Sequence, residues 1–211
     1  MVASVAALLI DLDGVVRVWD PENHQRAESA GGLPPGAIRR VAFAPELLLP
    51  AITGQISDGQ WREWVVQRLR SEFPDADAER AVREWSESVG RVDAEVIAVV
   101  RMCRKIVRVV LVTNATSRLS ADLGRLGIDR DFDALINSAS IGFIKPQSEI
   151  YRAALHAVGV PAHEALFVDD SPGNVTAATD LGMAGCVYKG ITDLTAQLRR
   201  CGGLGARSQL S

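Results

Sequence analysis

The sequence predicts an α/β protein built on a parallel β-sheet, with an all-helical insertion between the first strand and the rest of the sheet. Two observations predict this fold class. From about residue 106 onward, short apolar runs alternate with helical patterns, an order typical of parallel strands joined by right-handed crossovers. Residues 16–104 carry helical patterns without such runs. At 211 residues, the chain is long enough for one core and a small accessory domain.

The predicted strands are short, apolar and rich in β-branched residues, as is typical of strands buried on both faces of a sheet. They lie at residues 5–10, 106–112, 134–136, 165–168 and 185–188. Between the later strands, apolar residues recur at helical spacing, and a glycine follows three of these segments as a stop signal. The predicted helices are 117–126, 148–158, 172–181 and 191–198.

The insertion is predicted to form a helical unit of its own. Ser57 and Gln60 have the spacing of a capping box, which indicates the start of a helix. Trp61, Trp64 and Leu69 then mark one apolar face, which we expect to pack in the core of the insertion.

The rest of the insertion divides into helical and loop segments. Helical patterns continue at 74–89 and 93–104, whereas the Pro- and Gly-rich stretch 20–36 is predicted to be a loop. These patterns give three expected parts: an α/β core at 1–15 and 105–200, a helical insertion at 16–104, and a frayed tail at 201–211.

The composition excludes several classes of protein. Apolar residues make up 47% of the chain and charged residues 23%, the profile of a globular protein. The net charge of −3 gives no indication of nucleic acid or of an anionic membrane surface as a partner. No apolar stretch reaches the roughly 18 residues of a membrane helix, and the first ten residues lack the basic leader of a signal peptide. Three scattered cysteines suit a reducing compartment, so we expect a cytoplasmic protein. Its expected oligomeric state is a monomer or a homodimer.

Polar side chains follow the predicted strands at their carboxyl ends, where parallel sheets form ligand sites. In chain order, these residues are Asp11, Asp13, Thr113, Asn114, Lys145, Asp169 and Asp170. Carboxylates gathered at one sheet edge repel each other, and a divalent cation with oxygen ligands offsets that cost. Mg²⁺ suits carboxylates that leave room for water and a phosphate oxygen. The sequence therefore predicts a Mg²⁺ site, with Lys145 beside it to offset the charge of an anionic substrate.

The spacing of Asp11 and Asp13 indicates phosphoryl chemistry. A carboxylate beside Mg²⁺ can attack phosphorus as a nucleophile and form an aspartyl-phosphate. A second carboxyl two residues along an extended strand end points to the same side, where it can protonate a leaving oxygen and then activate water. Gly14 permits the sharp turn that follows.

These motifs resemble, in their order along the chain, those of the haloacid dehalogenase superfamily of hydrolases. The similarity is to the branch that carries a small helical cap between the first strand and the rest of the core. The matching motifs are Asp11-Leu12-Asp13-Gly14, Thr113-Asn114, Lys145-Pro146 and Val168-Asp169-Asp170 through Asn174. The resemblance covers most of residues 5–190 and implies a Rossmann-like parallel sheet sandwiched by helices, with an inserted all-helical cap.

The resemblance also implies a role for each motif residue. Asp11 would be the nucleophile and Asp13 the general acid and base, whose backbone carbonyl would also bind Mg²⁺. The implied catalytic residues are Asp11, Asp13, Thr113 and Lys145. The implied phosphate-binding residues are Asp11, Thr113, Asn114 and Lys145. The implied metal ligands are Asp11, Asp13, Asp169 and Asp170.

We therefore predict a Mg²⁺-dependent phosphomonoester hydrolase. A cap closing over the sheet edge would exclude water and restrict the substrate to a small phosphorylated metabolite. Asp13 and the acidic pair at 169–170 favour phosphate over carbon–halogen bonds, and the absence of lysine from residues 14–104 excludes a phosphonatase that uses a cap lysine. Two alternatives stay open: a sugar-phosphate mutase of the same superfamily, and a non-catalytic relative that binds a phosphorylated ligand.

Overall fold

The computed structural model describes residues 5–201, which form seven strands and eleven α-helices. The strands are β1 (Ala7–Ile10), β2 (Arg17–Val18), β3 (Arg91–Val92), β4 (Arg108–Thr113), β5 (Ala134–Asn137), β6 (Ala165–Asp169) and β7 (Ala184–Val187). The first helices are α1 (Asn23–Gly31), α2 (Ala37–Ala42), α3 (Pro45–Ile52), α4 (Asp58–Glu72), α5 (Ala78–Glu87) and α6 (Ala94–Cys103). The later helices are α7 (Leu119–Leu126), α8 (Ser138–Ile141), α9 (Ser148–Val158), α10 (Pro172–Asp180) and α11 (Ile191–Arg200). Within the described residues, none of these helices combines the length and the apolar character needed to cross a membrane.

Five strands form one parallel sheet in the order β5-β4-β1-β6-β7, with β1 at its centre. The chain first builds outward from β1 through β4 to β5, and then returns to the other side of β1 with β6 and β7. This reversal of strand order beside β1 creates a crevice at the carboxyl edge of the sheet. The α/β fold class is confirmed, and each predicted strand ends within two residues of its observed limits.

Helices cover both faces of the sheet. Leu8 and Ile10 of β1 face α6, α7 and α11, whereas Ala7 and Leu9 face α9 and α10. Successive strand residues point to opposite faces, so a strand covered on both sides needs apolar residues at every position. This requirement explains why the strands are continuous apolar runs in the sequence.

Helices α1 to α5 form the cap around a separate apolar core. The predicted capping box is present, since the Ser57 side chain accepts from the Gln60 backbone and the Gln60 side chain accepts in return. Trp61 and Leu69 are buried in the cap core as predicted. The expectation for Trp64 was wrong, because this side chain is 38% exposed on the surface of α4.

The predicted loop at 20–36 was also wrong, because it contains α1. Glycine within this stretch favours a loop, but an added Cβ at Gly31 would lie 2.6 Å from the Ala81 Cβ, so the glycine instead allows α1 and α5 to pack closely. The buried carboxylate of Glu28 accepts hydrogen bonds at 2.9 Å from the backbone amides of Gly36 and Ile38, at the start of α2. Tertiary contacts therefore stabilise a helix that lacks a strong local signal.

The chain passes twice between sheet and cap, and the two passages pair as an antiparallel ribbon of β2 and β3. Helix α6 lies within residues 16–104, yet it packs in the core cluster on one face of the sheet. The division at residues 15–16 and 104–105 stays a prediction. The expected tail at 201–211 lies outside the described residues, except for Cys201.

The start of α4 binds the core loop that follows β4. The Thr116 hydroxyl donates to the Asp58 carboxylate at 2.7 Å, and the Asp58 backbone amide donates to the Ser117 hydroxyl at 2.9 Å. These contacts hold the cap against the carboxyl edge of the sheet and enclose the space between them.

Candidate active site

The acidic residues predicted from strand ends converge at the carboxyl edge of the sheet. Asp11 follows the central strand β1, and Asp169 and Asp170 lie at the end of the neighbouring strand β6. One carboxylate oxygen from each of the three residues lies within 4.8 Å of the others. Asp11 and Asp169 are buried, whereas Asp170 is exposed, so the cluster opens to solvent on one side.

Lys145 lies between the two buried carboxylates. Its Nζ atom is 2.6 Å from Asp11 Oδ1 and 2.7 Å from Asp169 Oδ2, and the lysine side chain is itself buried. Buried charges are stable only when paired and hydrogen-bonded, so the lysine offsets part of the repulsion between the two carboxylates.

Neighbouring groups fix the orientation of Asp169 and Lys145. The Ser171 amide and the Asn174 side chain both donate to the Asp169 carboxylate, at 2.8 and 3.0 Å. The Asn114 side chain accepts from the Lys145 amide at 2.7 Å and donates to the Lys145 carbonyl at 3.0 Å. The loop after β4 therefore holds the backbone of the lysine.

A glycine is required where the chain turns after β1. Gly14 has φ +81°, and a Cβ built on it would lie 2.2 Å from Asp170 Oδ2. A side chain at this position would be strained and would collide with the exposed carboxylate of the cluster.

The cluster fits a hard divalent cation. Burial raises the pKa of Asp11 to about 7; Lys145 opposes this rise, whereas the Asp169 carboxylate adds to it. Burial and the Asp169 carboxylate also raise the pKa of Asp170. The single positive charge of Lys145 does not balance three carboxylates, so negative charge remains at the cluster. Carboxylate oxygens are the ligands that Mg²⁺ prefers.

Asp13 lies outside the three-carboxylate group. Its side chain accepts two hydrogen bonds from the Arg17 guanidinium, at 2.6 and 2.8 Å, and one from the Trp19 indole at 2.6 Å. Sequence reasoning missed both partners. Arg17 is four residues from Asp13, a spacing that indicates contact only in a helix, and this segment is a tight turn leading into β2.

Thr113 and Asn114 lie at the same sheet edge, as predicted. Thr113 is buried at the end of β4, which pairs with β1, and Asn114 follows it. All seven residues predicted for the site therefore lie at the ends of β1, β4 and β6 or in the loop after β5. Their chemical roles stay predictions.

A cavity of about 670 Å³ lies between the sheet edge and the cap. Asp13 and Asn114 line its core side, and four aromatic residues of the cap line the opposite side: His24, Phe43, Trp61 and Trp85. The sequence did not predict this cavity, because its wall joins residues from three separate helices and from the link between α2 and α3.

A capped α/β enzyme is the class that this fold and site define. The chain belongs to the haloacid dehalogenase-like hydrolases, since the sequence model of that family matches residues 5–182. The sequence is 32% identical over 85 residues to the GMP/IMP nucleotidase YrfG of Escherichia coli K12, a match that spans 40% of this chain and 37% of that protein. Such curated relatives are matched over only 10% to 39% of their length.

Solved structures share the fold. A HAD family enzyme from Bacteroides thetaiotaomicron, in complex with magnesium and inorganic phosphate, aligns with a TM-score of 0.71 and 20% identity, over 88% of this chain and 95% of that one. The L-2-haloacid dehalogenase of Xanthobacter autotrophicus, with chloropropionic acid covalently bound, aligns with a TM-score of 0.63 and 18% identity, over 86% and 76%. Identities this low establish the fold alone.

Proposed function

We propose that this protein is a Mg²⁺-dependent phosphomonoester hydrolase that acts on a small phosphorylated metabolite through an aspartyl-phosphate at Asp11. The observation that carries the proposal is the convergence of Asp11 with two further carboxylates and a buried lysine. Asp11, Asp169 and Asp170, with the backbone carbonyl of Asp13, would hold Mg²⁺. The ion would supply positive charge against the carboxylates and the phosphoryl oxygens.

Each residue of the site has a separate role in the proposed reaction. The Asp11 carboxylate attacks phosphorus, and Lys145 holds that carboxylate in place and stabilises charge on the phosphoryl oxygens. Thr113 and the backbone amide of Asn114 bind phosphate oxygens. Asp13 protonates the leaving oxygen as its bond to phosphorus breaks. Asp13 then takes a proton from the water that cleaves the aspartyl-phosphate.

Phosphate chemistry is favoured over cleavage of a carbon–halogen bond. One structural neighbour is a dehalogenase and another was crystallised with magnesium and phosphate, so the fold fits both reactions. A dehalogenase needs neither a metal nor a carboxyl that protonates an alkoxide. The three-carboxylate cluster and Asp13 would then have no purpose. The similarity to a nucleotidase over part of the chain also supports phosphate esters as substrates.

The test compares p-nitrophenyl phosphate and 2-chloropropionate as substrates, with Mg²⁺ and with EDTA. We expect Mg²⁺-dependent release of phosphate, its loss in Asp11→Asn, and full activity in Asp75→Asn, an exposed loop carboxylate that serves as the matched control. Chloride release, Mg²⁺-independent turnover or an active Asp11→Asn variant would each refute the proposal. A cytoplasmic location, a monomeric or homodimeric state, and the absence of nucleic acid and membrane partners stay predictions.

A further inference from the structure

We propose that the substrate carries a flat aromatic ring on its leaving group, held in the aromatic half of the cavity between sheet and cap. This inference rests on the proposed function, because the cavity holds a leaving group only if Asp11 accepts the phosphoryl group. Asp13 and Asn114 line the same cavity as the aromatic residues. A substrate whose phosphate lies at the sheet edge therefore extends its leaving group toward the cap.

Three aromatic side chains form the cap wall of the cavity. The Trp61 and Trp85 rings are 5.5 Å apart, and Phe43 lies 6.4 and 6.3 Å from them, all in edge-to-face arrangements. Phe43 is 48% exposed although it belongs to this cluster. An exposed aromatic ring at the wall of a pocket offers stacking area that the fold itself does not use.

His24 adds one polar group to this wall. Its ring lies 5.8 Å from Trp85 and 6.2 Å from Phe43. Its Nε2 atom is buried without a hydrogen-bond partner among the described residues. An unpaired buried polar atom is costly, and a small shift of the ring on binding would let a ligand heteroatom satisfy it. Burial lowers the pKa of His24, which favours the neutral imidazole and so a neutral ring heteroatom as its partner.

The charges around the cavity argue against a second phosphate. Three arginines of its wall are each paired with a carboxylate: Arg17 with Asp13, Arg62 with Asp58, and Arg118 with Asp122. The Arg62 guanidinium also lies 5.3 Å from the Trp85 ring centre, which holds it in the aromatic cluster. Arg39 also lines the wall, where it is exposed and has no carboxylate partner among the described residues. Three of the four arginines that line this largely aromatic cavity are thus paired, and this setting suits a ring better than the bisphosphate that a sugar-phosphate mutase must hold.

Two matched substrate pairs test the inference, since each pair has the same kind of leaving oxygen. The first pair is benzyl phosphate and cyclohexylmethyl phosphate, which differ in the flatness of the ring. The second is adenosine 5′-monophosphate and ribose 5-phosphate, which differ by the base. We expect kcat/KM to favour the aromatic member by about tenfold or more in at least one pair, the size of one stacking contact. A preference in the first pair alone would indicate a simple aryl-bearing ester as the substrate, and a preference in the second pair would indicate a nucleoside ester.

Variants of the wall test the same point. Phe43→Leu and Trp85→Leu should lower the preference for the aromatic member by about tenfold. Trp64→Leu is the matched control, because Trp64 is partly exposed on α4 and lies outside the cavity wall, so the preference should stay. Calorimetric binding of benzyl alcohol and cyclohexylmethanol to wild-type protein supplies a readout that does not depend on folded variants, with the aromatic alcohol expected to bind more tightly.

The outcomes separate the two proposals. If all four esters are hydrolysed with Mg²⁺ and neither pair shows a preference, the inference is overturned and the proposed function stands. If none of the four esters is hydrolysed and acetyl phosphate, a small ring-free substrate, is also left intact, the proposed function fails and the inference fails with it. A preference that persists in both wall variants would overturn the assignment to this cavity.

Discussion

Replacing Asp11 with Asn should make the stability of the metal-free protein less sensitive to rising pH. Burial raises the pKa of Asp11 from 3.8 to about 7; Lys145 opposes this effect and Asp169 strengthens it. Between these two pH values the folded protein binds the proton and the unfolded chain does not. The contribution of protonated Asp11 to the free energy of unfolding is therefore complete below about pH 4. It falls progressively as the pH rises toward 7 and is lost above that pH.

The expected magnitude follows from the size of the pKa shift. About three units at about 1.4 kcal/mol per unit correspond to roughly 4 kcal/mol between acidic and alkaline pH. Unfolding free energies of domains are about 5–15 kcal/mol, so a loss of this size is large. Asn has nearly the same shape as Asp and no charge, and Lys145 keeps Asp169 as its partner in the variant.

Urea unfolding in EDTA, followed by circular dichroism at pH 4.5, 6 and 8, measures this effect. The difference between Asp11→Asn and wild type should be small at pH 4.5 and should reach about 4 kcal/mol in favour of the variant at pH 8. Asp75→Asn, at an exposed loop position, should follow the wild-type curve. Parallel pH curves for wild type and Asp11→Asn would refute the electrostatic reasoning. Added Mg²⁺ should stabilise wild type at pH 8 more than the variant.

Three further predictions concern positions around the site and in the cap. Gly14→Ala should weaken Mg²⁺ binding, measured by calorimetry, because the new Cβ would displace the Asp170 carboxylate. Gly36→Ala is the matched control, because Gly36 has a similar φ of +85° but no atom near its Cβ position, and Mg²⁺ affinity should be unchanged in this variant. Lys145→Met should destabilise the metal-free protein at pH 8 by about 3–5 kcal/mol in urea unfolding, since two buried carboxylates lose their partner, and an unchanged midpoint would contradict this. Glu28→Ala should cost about 1–3 kcal/mol, because two backbone amides at the start of α2 lose their acceptor; wild-type stability in this variant would show that α1 does not support α2.

The core of the molecule could be predicted from the sequence because its signals are local. A strand covered on both faces must be apolar at each position, so β1, β4 and β6 are visible as short runs. Parallel strands bring their carboxyl ends to one edge, so the residues that follow them could be expected to meet. The convergence of Asp11 with Asp169 follows from this rule, whereas Lys145 reaches both carboxylates from the loop beyond α8.

The cap was predicted less well because its structure depends on contacts distant in sequence. Helix α1 has weak apolar periodicity and is held by close packing at Gly31 and by the hydrogen bonds of Glu28. The contacts of Asp13 with Arg17 and Trp19 depend on a tight turn that no residue pattern indicates. The aromatic cavity wall joins three helices and the link between α2 and α3, so no single segment carries its signal.

The ribbon of β2 and β3 links the position of the cap to the direction of one carboxylate. Both passages of the chain between sheet and cap run through this ribbon, so the ribbon is the covalent connection between the two parts. Arg17 is a residue of β2, and its guanidinium donates two hydrogen bonds to the Asp13 carboxylate. The side chain proposed to deliver the proton is therefore oriented by the same short strand that connects sheet and cap, so the geometry of that connection and the direction of the acid are set together.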